Sequence, residues 1–594
     1  KFPKGIDSKG GGGYNCFTDA DRPETRAGGG SEKAEKIKKI FYLILVICCL
    51  SLAAGILCAC GPEEEAESVA RVDGFVLQLS EDEKSYFVAG YEGAGGDLIV
   101  PSEYGKKPVT AIGEAAFKGN SSINSVTLPA SVVSIGKGSF MECTGITSFA
   151  FSDDLVSIGD AAFKGDAGIR ALTLPASVVS IGSESFAGCS SLASVPLPNG
   201  LSDIGERAFR GCAALTSVII PDGVTSVKAM TFADCSGLAS FTFGSRVTRL
   251  EDMAFSGCSA LTSLVIPDGI TYISFSVFEN CTALTSVALP DSIEHMGDGV
   301  FNGCNGIQSA TLPASLADSI PGSALTEVII TGGESIGSNA FKYASRLRSV
   351  ALPEGITMIG PSAFSDCTAL TEIALPQSLE IISADAFNGC TSLGTITIPE
   401  NVTHIGERAF EDCKALTNIN WNAVSVADFT VLGHVFDSAG TAGAGLSLTI
   451  GDGVQSIPAY MFYAGAGILT YPANLVSVTV GEGVTDIGEG AFRKCGKLAS
   501  VQMGEKVQRI GNKAFEGCEA LSSLTLPASL LSIGQQAFYD TGLTYVSFEQ
   551  PLGWQVSSSS SFEEPQAVSS AQLSAPASAA VCLTPAYSSW FCKQ

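Results

Sequence analysis

The middle of the chain carries one pattern of apolar and polar positions that repeats every 23 residues. Helical side chains recur every ~3.6 residues and strand side chains every ~2, so neither element has so long a period. The pattern therefore predicts a series of similar supersecondary units stacked on one another. The regular copies carry a phenylalanine at the same place: Phe117, Phe140, Phe163, Phe186, Phe209, Phe232, Phe255, Phe278 and Phe301.

Each unit contains two short apolar segments joined by a turn. In the copy LTSVIIPDGVTSVKAMTFADC, from Leu215 to Cys235, apolar and polar positions alternate towards the end of LTSVII, which predicts a short strand with one buried face. The Pro-Asp-Gly sequence that follows predicts a turn. A second apolar pair leads into a corner that ends in phenylalanine and cysteine, where a glycine in most copies permits a tight bend.

The repeat continues less regularly beyond residue 301. We assign its next phenylalanine position to Leu325, and the 16-residue step that follows indicates a truncated unit. Longer steps between residues 411 and 491 indicate inserted loops. The series predicts nineteen turns in all, of which the later ones are marked by Phe341, Phe364, Phe387, Phe410, Phe436, Phe462, Phe492, Phe515 and Phe538.

The unit follows LxxIxLPxxVxxIGxxAFxxC and resembles the BspA-like subclass of leucine-rich repeats over about residues 97–550. The resemblance implies a β-rich right-handed solenoid of leucine-rich repeats of about 23 residues, with short parallel strands on the concave face. Stacking supports the same architecture, because one unit has too few apolar side chains to close a core alone. With strands ~4.8 Å apart, the predicted turns extend over roughly 90 Å.

The apolar segment Ile40 to Cys60 has 21 residues without a charge and follows a basic flank at residues 36–39. Its last four residues, LCAC, resemble a bacterial lipobox, which implies lipidation of Cys60. The segment is also long enough to span a bilayer, and a cleaved secretory signal is the third alternative. All three place the rest of the chain outside the cytoplasm.

Composition divides the chain into five parts. The Ser/Ala/Pro-rich tail has no pattern that builds a core, so we expect it to be disordered; its Cys582 and Cys592 are candidates for a small disulfide loop. The predicted parts are a polar N-terminal segment (1–35), a signal peptide with lipobox or membrane anchor (36–60), a linker with an N-terminal capping turn (61–110), the solenoid (111–550) and the tail (551–594).

Charge argues against nucleic acid as a partner. The chain has 60 acidic and 34 basic residues, a formal charge of −26. The resulting negative field repels phosphate backbones.

Cysteine is the first candidate for site chemistry, since 12 of the 19 cysteines lie three residues after a repeat phenylalanine and form one column. The repeats contain no CxxC pair for a metal, and parallel side chains in a column have poor geometry for disulfides. We interpret them as buried packing residues: Cys143, Cys189, Cys212, Cys235, Cys258, Cys281, Cys304, Cys367, Cys390, Cys413, Cys495 and Cys518.

Other reactive residue types are scattered. His295 and His404 lie five turns apart and His434 lies in an irregular turn, so no histidine accompanies a serine or cysteine nucleophile. Aspartates in Asp-Gly pairs fit turns better than acid/base catalysis. We therefore expect no enzymatic activity, no metal site and no cofactor.

Aromatic residues concentrate in the irregular region, where the insert 419–445 is followed by further tyrosines. Aromatic residues in a loop either anchor a partner or fill a distorted turn. The possible recognition loop comprises Trp421, Phe429, His434, Phe436, Tyr460 and Tyr463.

The outward strand positions carry mainly Ser, Thr and Ala, as in LTSVALP at 284–290. Such a face suits many weak contacts with a large partner better than enclosure of a small molecule. BspA-like proteins are associated with adhesion to host matrix proteins and to other cells, and the resemblance implies that function. Together with the apolar segment, it predicts a membrane-anchored, cell-surface protein. The alternative is a structural envelope component that self-associates through its repeats.

Overall fold

The computed structural model describes residues 68–463, 472–557, 566–584 and 590–593. The predicted segments 1–35 and 36–60, including Cys60, lie outside the described residues. None of the helices within the described ranges has the length and apolar character that crossing a bilayer requires. Residues 67–594 form one compact unit.

A long-strand ladder contains one strand from nearly every repeat, and its strands pair in parallel with those of neighbouring turns. The pairing places equivalent positions opposite each other, as Ser217 opposite Ser240 and Ile219 opposite Thr242. Pairing in this ladder is interrupted after Thr242, Ala351 and Gln502. Between the third and fourth strands, the described residues show a single bridge, which joins Ala171 to Ser194. The strands are Gly96–Ile99, Ile123–Thr127, Ser148–Ala150, Ser217–Ile219, Ser240–Thr242, Ser263–Val265, Ser286–Ala288, Ser309–Leu312, Glu327–Ile330, Ser349–Ala351, Thr395–Ile398, Asn418–Trp421, Leu446–Ile450, Leu475–Thr479, Ser500–Gln502, Ser523–Leu526 and Tyr545–Phe548.

A short-strand ladder is built from the second apolar pair of each repeat. Its pairing is interrupted after Ile204, Met296 and Ile405. The strands are Lys107–Ile112, Ser134–Ile135, Ser157–Ile158, Ser180–Ile181, Asp203–Ile204, Ser226–Val227, Arg249–Leu250, Tyr272–Ile273, His295–Met296, Ser335–Ile336, Met358–Ile359, Ile381–Ile382, His404–Ile405, Ser456–Ile457, Asp486–Ile487, Arg509–Ile510 and Ser532–Ile533.

The repeat phenylalanines form a column of stacked rings in the core. Centroids of successive rings lie 5.3 Å apart from Phe163 to Phe186 and again from Phe186 to Phe209, with nearly parallel planes. The apolar face of each ring is thereby removed from water by the turns on either side. This explains why a single repeat has no core of its own and why the 23-residue period is kept so strictly.

The N-terminal end is closed by an antiparallel meander, Val69–Val72, Phe75–Leu79 and Tyr86–Tyr91. Its first turn is Asp73-Gly74, with φ of 48° and 86°, the left-handed pair that joins strands in a tight hairpin. The third strand pairs in parallel with Lys107–Ile112, and Glu103–Tyr104 forms a second hairpin with that strand. The meander lies within the region 61–110, where the sequence predicts a capping turn.

One turn lacks the phenylalanine corner, and the assignment of Leu325 to the phenylalanine series is wrong. Ser309 pairs with Glu327 in parallel, which places Leu325 opposite Ile307, at the leucine position of the repeat. A 3-10 helix, Ala314–Ser319, replaces the second strand and the corner of this turn. The phenylalanine stack is consequently interrupted between Phe301 and Phe341.

The C-terminal tail differs from the disorder that its composition predicts. Trp554–Ser557, Gln566–Ala567 and Trp590–Lys593 are strands, and Ser570–Ser574 and Pro576–Leu583 are helices. The last of these strands pairs antiparallel with Ser532–Ile533, the final rung of the short-strand ladder. Sparse apolar residues suffice here because they cover an apolar end that the solenoid already provides.

Candidate binding surface

The outward face of the long-strand ladder is an extended and regular surface. Strand residues alternate between core and solvent, so that Val218 and Val287 are buried whereas Ile219 and Val265 are about 70% exposed (70% and 71%). Most other outward positions carry hydroxyl or small side chains, as the sequence predicts. The face therefore presents rows of Ser and Thr with a few isolated aliphatic side chains.

Threonines beside these strands are held by bonds between turns. The hydroxyl of Thr285 donates to the main-chain oxygen of Thr262 at 3.0 Å, and Thr417 donates to Gly394 at 3.0 Å. Each hydroxyl keeps acceptor capacity for a further hydrogen bond. The surface is thus preorganised and polar, which reduces the entropy lost when a partner binds.

A second face, at the phenylalanine corner, carries alternating charges. Lys164 pairs with Glu184 at 2.5 Å and Arg210 with Asp234 at 3.2 Å. The hydrogen bond from Lys164 lowers the pKa of the Glu184 carboxyl. These partly exposed pairs contribute little to stability, so their main effect is to set the charge pattern of the surface.

The nine residues IGERAFRGC at 204–212 return almost unchanged as IGERAFEDC at 405–413, but the corner has different side-chain contacts in the two copies. Arg408 donates two hydrogen bonds to the carboxylate of Asp385, at 2.8 and 3.0 Å, and these lower the pKa of Asp385. Arg207, the equivalent residue of IGERAFRGC, directs its Nε towards the sulfur of Met230 instead. The repeated frame therefore carries different surface chemistry at equivalent positions.

An aromatic stack that the sequence analysis missed lies on the short-strand ladder. The Tyr272 ring lies between Arg249, whose guanidinium carbon is 3.9 Å from the ring centroid, and His295, whose ring centroid is 4.5 Å away. The three residues are 23 positions apart and in register. The 23-residue spacing could have predicted this stack, because outward residues of successive rungs become neighbours in a parallel ladder.

Four residues of the possible recognition loop are buried. Trp421 is fully inaccessible and packs edge-on against Phe429 at 6.3 Å. Phe436 is stacked between Phe410 and Phe462, at 5.4 and 4.8 Å. Tyr463 is also buried, with the guanidinium carbon of Arg493 4.8 Å from its ring centroid. These aromatic residues fill the irregular turns.

The other two loop residues, His434 and Tyr460, are half-buried. Nδ1 of His434 lies 2.8 Å from Oδ2 of Asp437, and burial raises the pKa of that aspartate. The hydroxyl of Tyr460 donates to Glu489 at 2.5 Å. A cavity of about 390 Å³ separates the insert from the short-strand ladder, and its lining includes His404, Phe429 and Thr430. Recognition by this region stays a prediction.

The cysteine column confirms the packing interpretation. All twelve repeat cysteines are buried and unbridged. Burial raises the pKa of Cys143, Cys235, Cys367 and Cys495 to about 12. The described ranges contain no group of three or more His, Cys, Asp or Glu side chains able to hold a metal ion.

One member of the column is an aspartate. Asp166 takes the place of cysteine between Cys143 and Cys189, and neither carboxylate oxygen has a hydrogen-bond partner among the described residues. The main-chain N–H of Cys143 favours the charged form but does not reach hydrogen-bonding geometry. Burial consequently raises the pKa of Asp166 to about 8.

A family profile described as "BspA type Leucine rich repeat region (6 copies)" matches residues 110–239, 202–326, 321–430 and 445–566. These matches cover more than half of the chain. The chain belongs to the BspA-type leucine-rich repeat family. The predicted family and solenoid fold are thereby confirmed, and the profile extends past residue 550 into the C-terminal segment.

Similar solved structures include leucine-rich repeat proteins of several bacteria. A leucine-rich repeat protein of Bacteroides ovatus is 26% identical over 59% of this chain and 94% of its own, with a TM-score of 0.44. A T. pallidum leucine-rich repeat protein is 28% identical over 39% and 97%, with a TM-score of 0.32. A leucine-rich cell surface protein of Faecalibacterium prausnitzii is 25% identical over 73% and 94%, also at 0.32. The comparison with curated protein sequences finds no match.

Proposed function

We propose that this BspA-type solenoid is a cell-surface adhesin that binds a matrix protein of a host or a surface protein of another cell. The observation that carries the proposal is the outward face of the long-strand ladder, with its ordered hydroxyl groups and exposed Ile219 and Val265. A similar chain from Faecalibacterium prausnitzii is named a cell surface protein, which supports the location.

The face suits a macromolecule because its contacts are many and individually weak. Stable protein–protein interfaces bury on the order of 800 Å² on each partner and combine aliphatic or aromatic contacts with hydrogen bonds. Rows of Ser and Thr supply the hydrogen bonds, and the isolated aliphatic side chains supply apolar contact. Charge variation at the corner, as between Arg207 and Arg408, adds selectivity.

The elements that cover the C-terminal end of the solenoid limit how an envelope component could self-associate. Antiparallel strands cover the final rung of the short-strand ladder, and both C-terminal helices contact Tyr545–Phe548, the last long strand. Capped ends do not template the addition of further strands. An envelope component therefore associates through the sides of its repeats, such as the long-strand face, rather than through its ends.

Binding to immobilised matrix glycoproteins and to intact cells tests the adhesin proposal. We expect saturable binding by the purified full chain, weakened by the paired substitution of Ile219→Asp and Val265→Asp. The double variant Val133→Asp and Val156→Asp is the matched control, because these exposed aliphatic residues lie away from the long-strand face, directly before the short strands Ser134–Ile135 and Ser157–Ile158. Ordered self-association without cell or matrix binding would instead support the envelope component.

We also propose that the chain is anchored through lipid on Cys60, with a membrane-spanning segment as the alternative. The LCAC sequence at residues 57–60 supports this anchor. Expression in a bacterium with labelled fatty acid separates the two cases. Cys60→Ala abolishes both label and membrane retention if the anchor is lipid, whereas Cys58→Ala leaves them intact. Retention of unlabelled protein points to the membrane span.

A further inference from the structure

The truncated turn leaves one rung missing from the short-strand ladder. His295–Met296 pairs with the preceding strand, and Ser335–Ile336 pairs with the following one, but these two strands do not pair with each other. The 3-10 helix Ala314–Ser319 contacts Ser335–Ile336, the strand on the C-terminal side of the gap. It buries Ala314 and Ala317 in the core without extending the ladder.

Main-chain groups on both sides of this gap lack the partners that equivalent groups have elsewhere. In a complete repeat, Gly360 N–H donates to Ile336 and Ser276 N–H donates to Asp298. The equivalent N–H groups of Gly337 and Gly299 have no acceptor within the described ranges. The main-chain oxygen of Met296 likewise has no donor there. An extended segment entering the gap finds both donors and an acceptor already in place.

The space beside Gly337 is open. A side chain at Gly360 would place Cβ 2.7 Å from the main-chain oxygen of the preceding turn, at Ile336. At Gly337 the same direction points into the gap, and nothing lies within 4 Å. Gly337 is exposed, whereas Gly360 is buried.

The rim of the gap is acidic. Glu294 and Glu334 precede the two flanking strands at equivalent positions, and Asp298 lies at the adjoining corner. All three are exposed, and none forms an ion pair within the described part of the chain. The stack of Arg249, Tyr272 and His295 ends on the same edge, so planar groups border the acidic rim.

We propose that this gap is a docking site for an extended, basic peptide segment of a partner protein, which takes the place of the missing rung. Main-chain hydrogen bonds to Gly337, Gly299 and Met296 hold the segment, as in strand addition to an open sheet edge. A lysine or arginine of the segment lies between the Glu294 and Glu334 carboxylates. The inference rests on the proposed protein-binding function and specifies one place where it acts.

The probe is a fluorescein-labelled seven-residue peptide of alternating valine and threonine with one central lysine, added to the purified full chain. We expect saturable binding, which Gly337→Leu abolishes by filling the gap. The paired substitution of Glu294→Gln and Glu334→Gln weakens binding roughly tenfold, equivalent to one charge-assisted hydrogen bond. Glu380→Gln is the matched control, since Glu380 occupies the same column between complete rungs.

Several outcomes overturn the assignment. These are absence of wild-type binding, undiminished binding by a Gly337→Leu variant whose thermal unfolding is unchanged, and equal binding of a peptide with glutamate in place of lysine. Sedimentation identifies a second copy as the occupant if a wild-type dimer becomes monomeric on Gly337→Leu. If the Gly337→Leu variant still binds cells or matrix, the adhesin proposal is retained and the gap is rejected as its binding site.

Discussion

The thiol of Cys212 donates a hydrogen bond to the main-chain oxygen of Phe186, 26 residues earlier, at 3.2 Å. Cys413 makes the same contact with Phe387 at 3.3 Å. Each cysteine thus adds a second hydrogen bond to a carbonyl of the preceding turn, which already accepts one from a main-chain N–H, at the corner that supplies the stacked phenylalanine. The cysteine joins neighbouring repeats through a bond that an alkyl side chain of similar size cannot make.

The repeat thiols with a raised pKa are expected to be unreactive in the folded protein. Cys304 is not among them, because a hydrogen bond from the Cys281 thiol lowers its pKa. Burial raises the pKa of Cys143 and Cys235 to about 12, so the thiolate that reacts with alkylating agents is scarce at pH 8. Iodoacetamide at that pH should leave these thiols unlabelled until denaturant is added. Mass spectrometry of peptic fragments checks this outcome; rapid labelling of Cys212 or Cys235 without denaturant contradicts it.

Asp166 is expected to make stability fall as pH rises. Its pKa of about 8 in the folded chain is raised above the ordinary value, so the folded state holds the proton more tightly than the unfolded state. The stabilisation is full below ~4 and is lost progressively as pH approaches 8. Denaturant unfolding between pH 4 and pH 9 measures it.

Asp166→Asn is the control for that experiment, because it keeps the shape and removes the charge. The difference in unfolding free energy between wild type and variant should change steadily from pH 4 to pH 8 and level off above. A difference independent of pH would show that Asp166 is solvated in the folded chain.

Two glycines at equivalent repeat positions are expected to tolerate alanine differently. Gly360→Ala forces a Cβ to within 2.7 Å of the Ile336 oxygen and should cost ~1–3 kcal/mol. Gly337→Ala meets nothing within 4 Å and should change stability by less than ~0.5 kcal/mol. Thermal unfolding of the two variants compares them directly; equal destabilisation would mean that the gap is closed in solution.

Substitutions of Trp421 and Tyr460 are expected to have different effects, which distinguish a packing role from a binding role for the irregular turns. Trp421→Ala empties a fully buried site and should destabilise the chain by ~3–5 kcal/mol. Tyr460→Ala, together with His434→Ala, removes half-buried side chains and should lower partner binding with much less loss of stability. Unfolding curves and cell binding are measured on the same preparations; unchanged binding by the double variant ends the recognition-loop hypothesis.

Sequence and structure disagree at residues whose place in the repeat depends on contacts with the next turn, because the sequence shows only the neighbours along the chain. Leu325 is apolar and lies 24 residues after Phe301, so the sequence alone is consistent with a place in the phenylalanine series. Its pairing with the preceding strand assigns it to another column. Trp421 and Phe436 show the same limit, since an aromatic residue in an inserted loop looks alike whether it faces solvent or core.

The repeat alone carried the resemblance to the family. It also determined the stacked architecture, the strand positions and the burial of cysteine and phenylalanine, because a side chain that recurs every 23 residues must meet its own copies in the neighbouring turns. Tertiary structure decided what happens where that regularity fails. The missing rung beside Gly337, the burial of Trp421, the orphaned carboxylate of Asp166 and the folded C-terminal cap all depend on contacts between non-equivalent turns. Those contacts follow from the path of the chain through space, which no period in the sequence records.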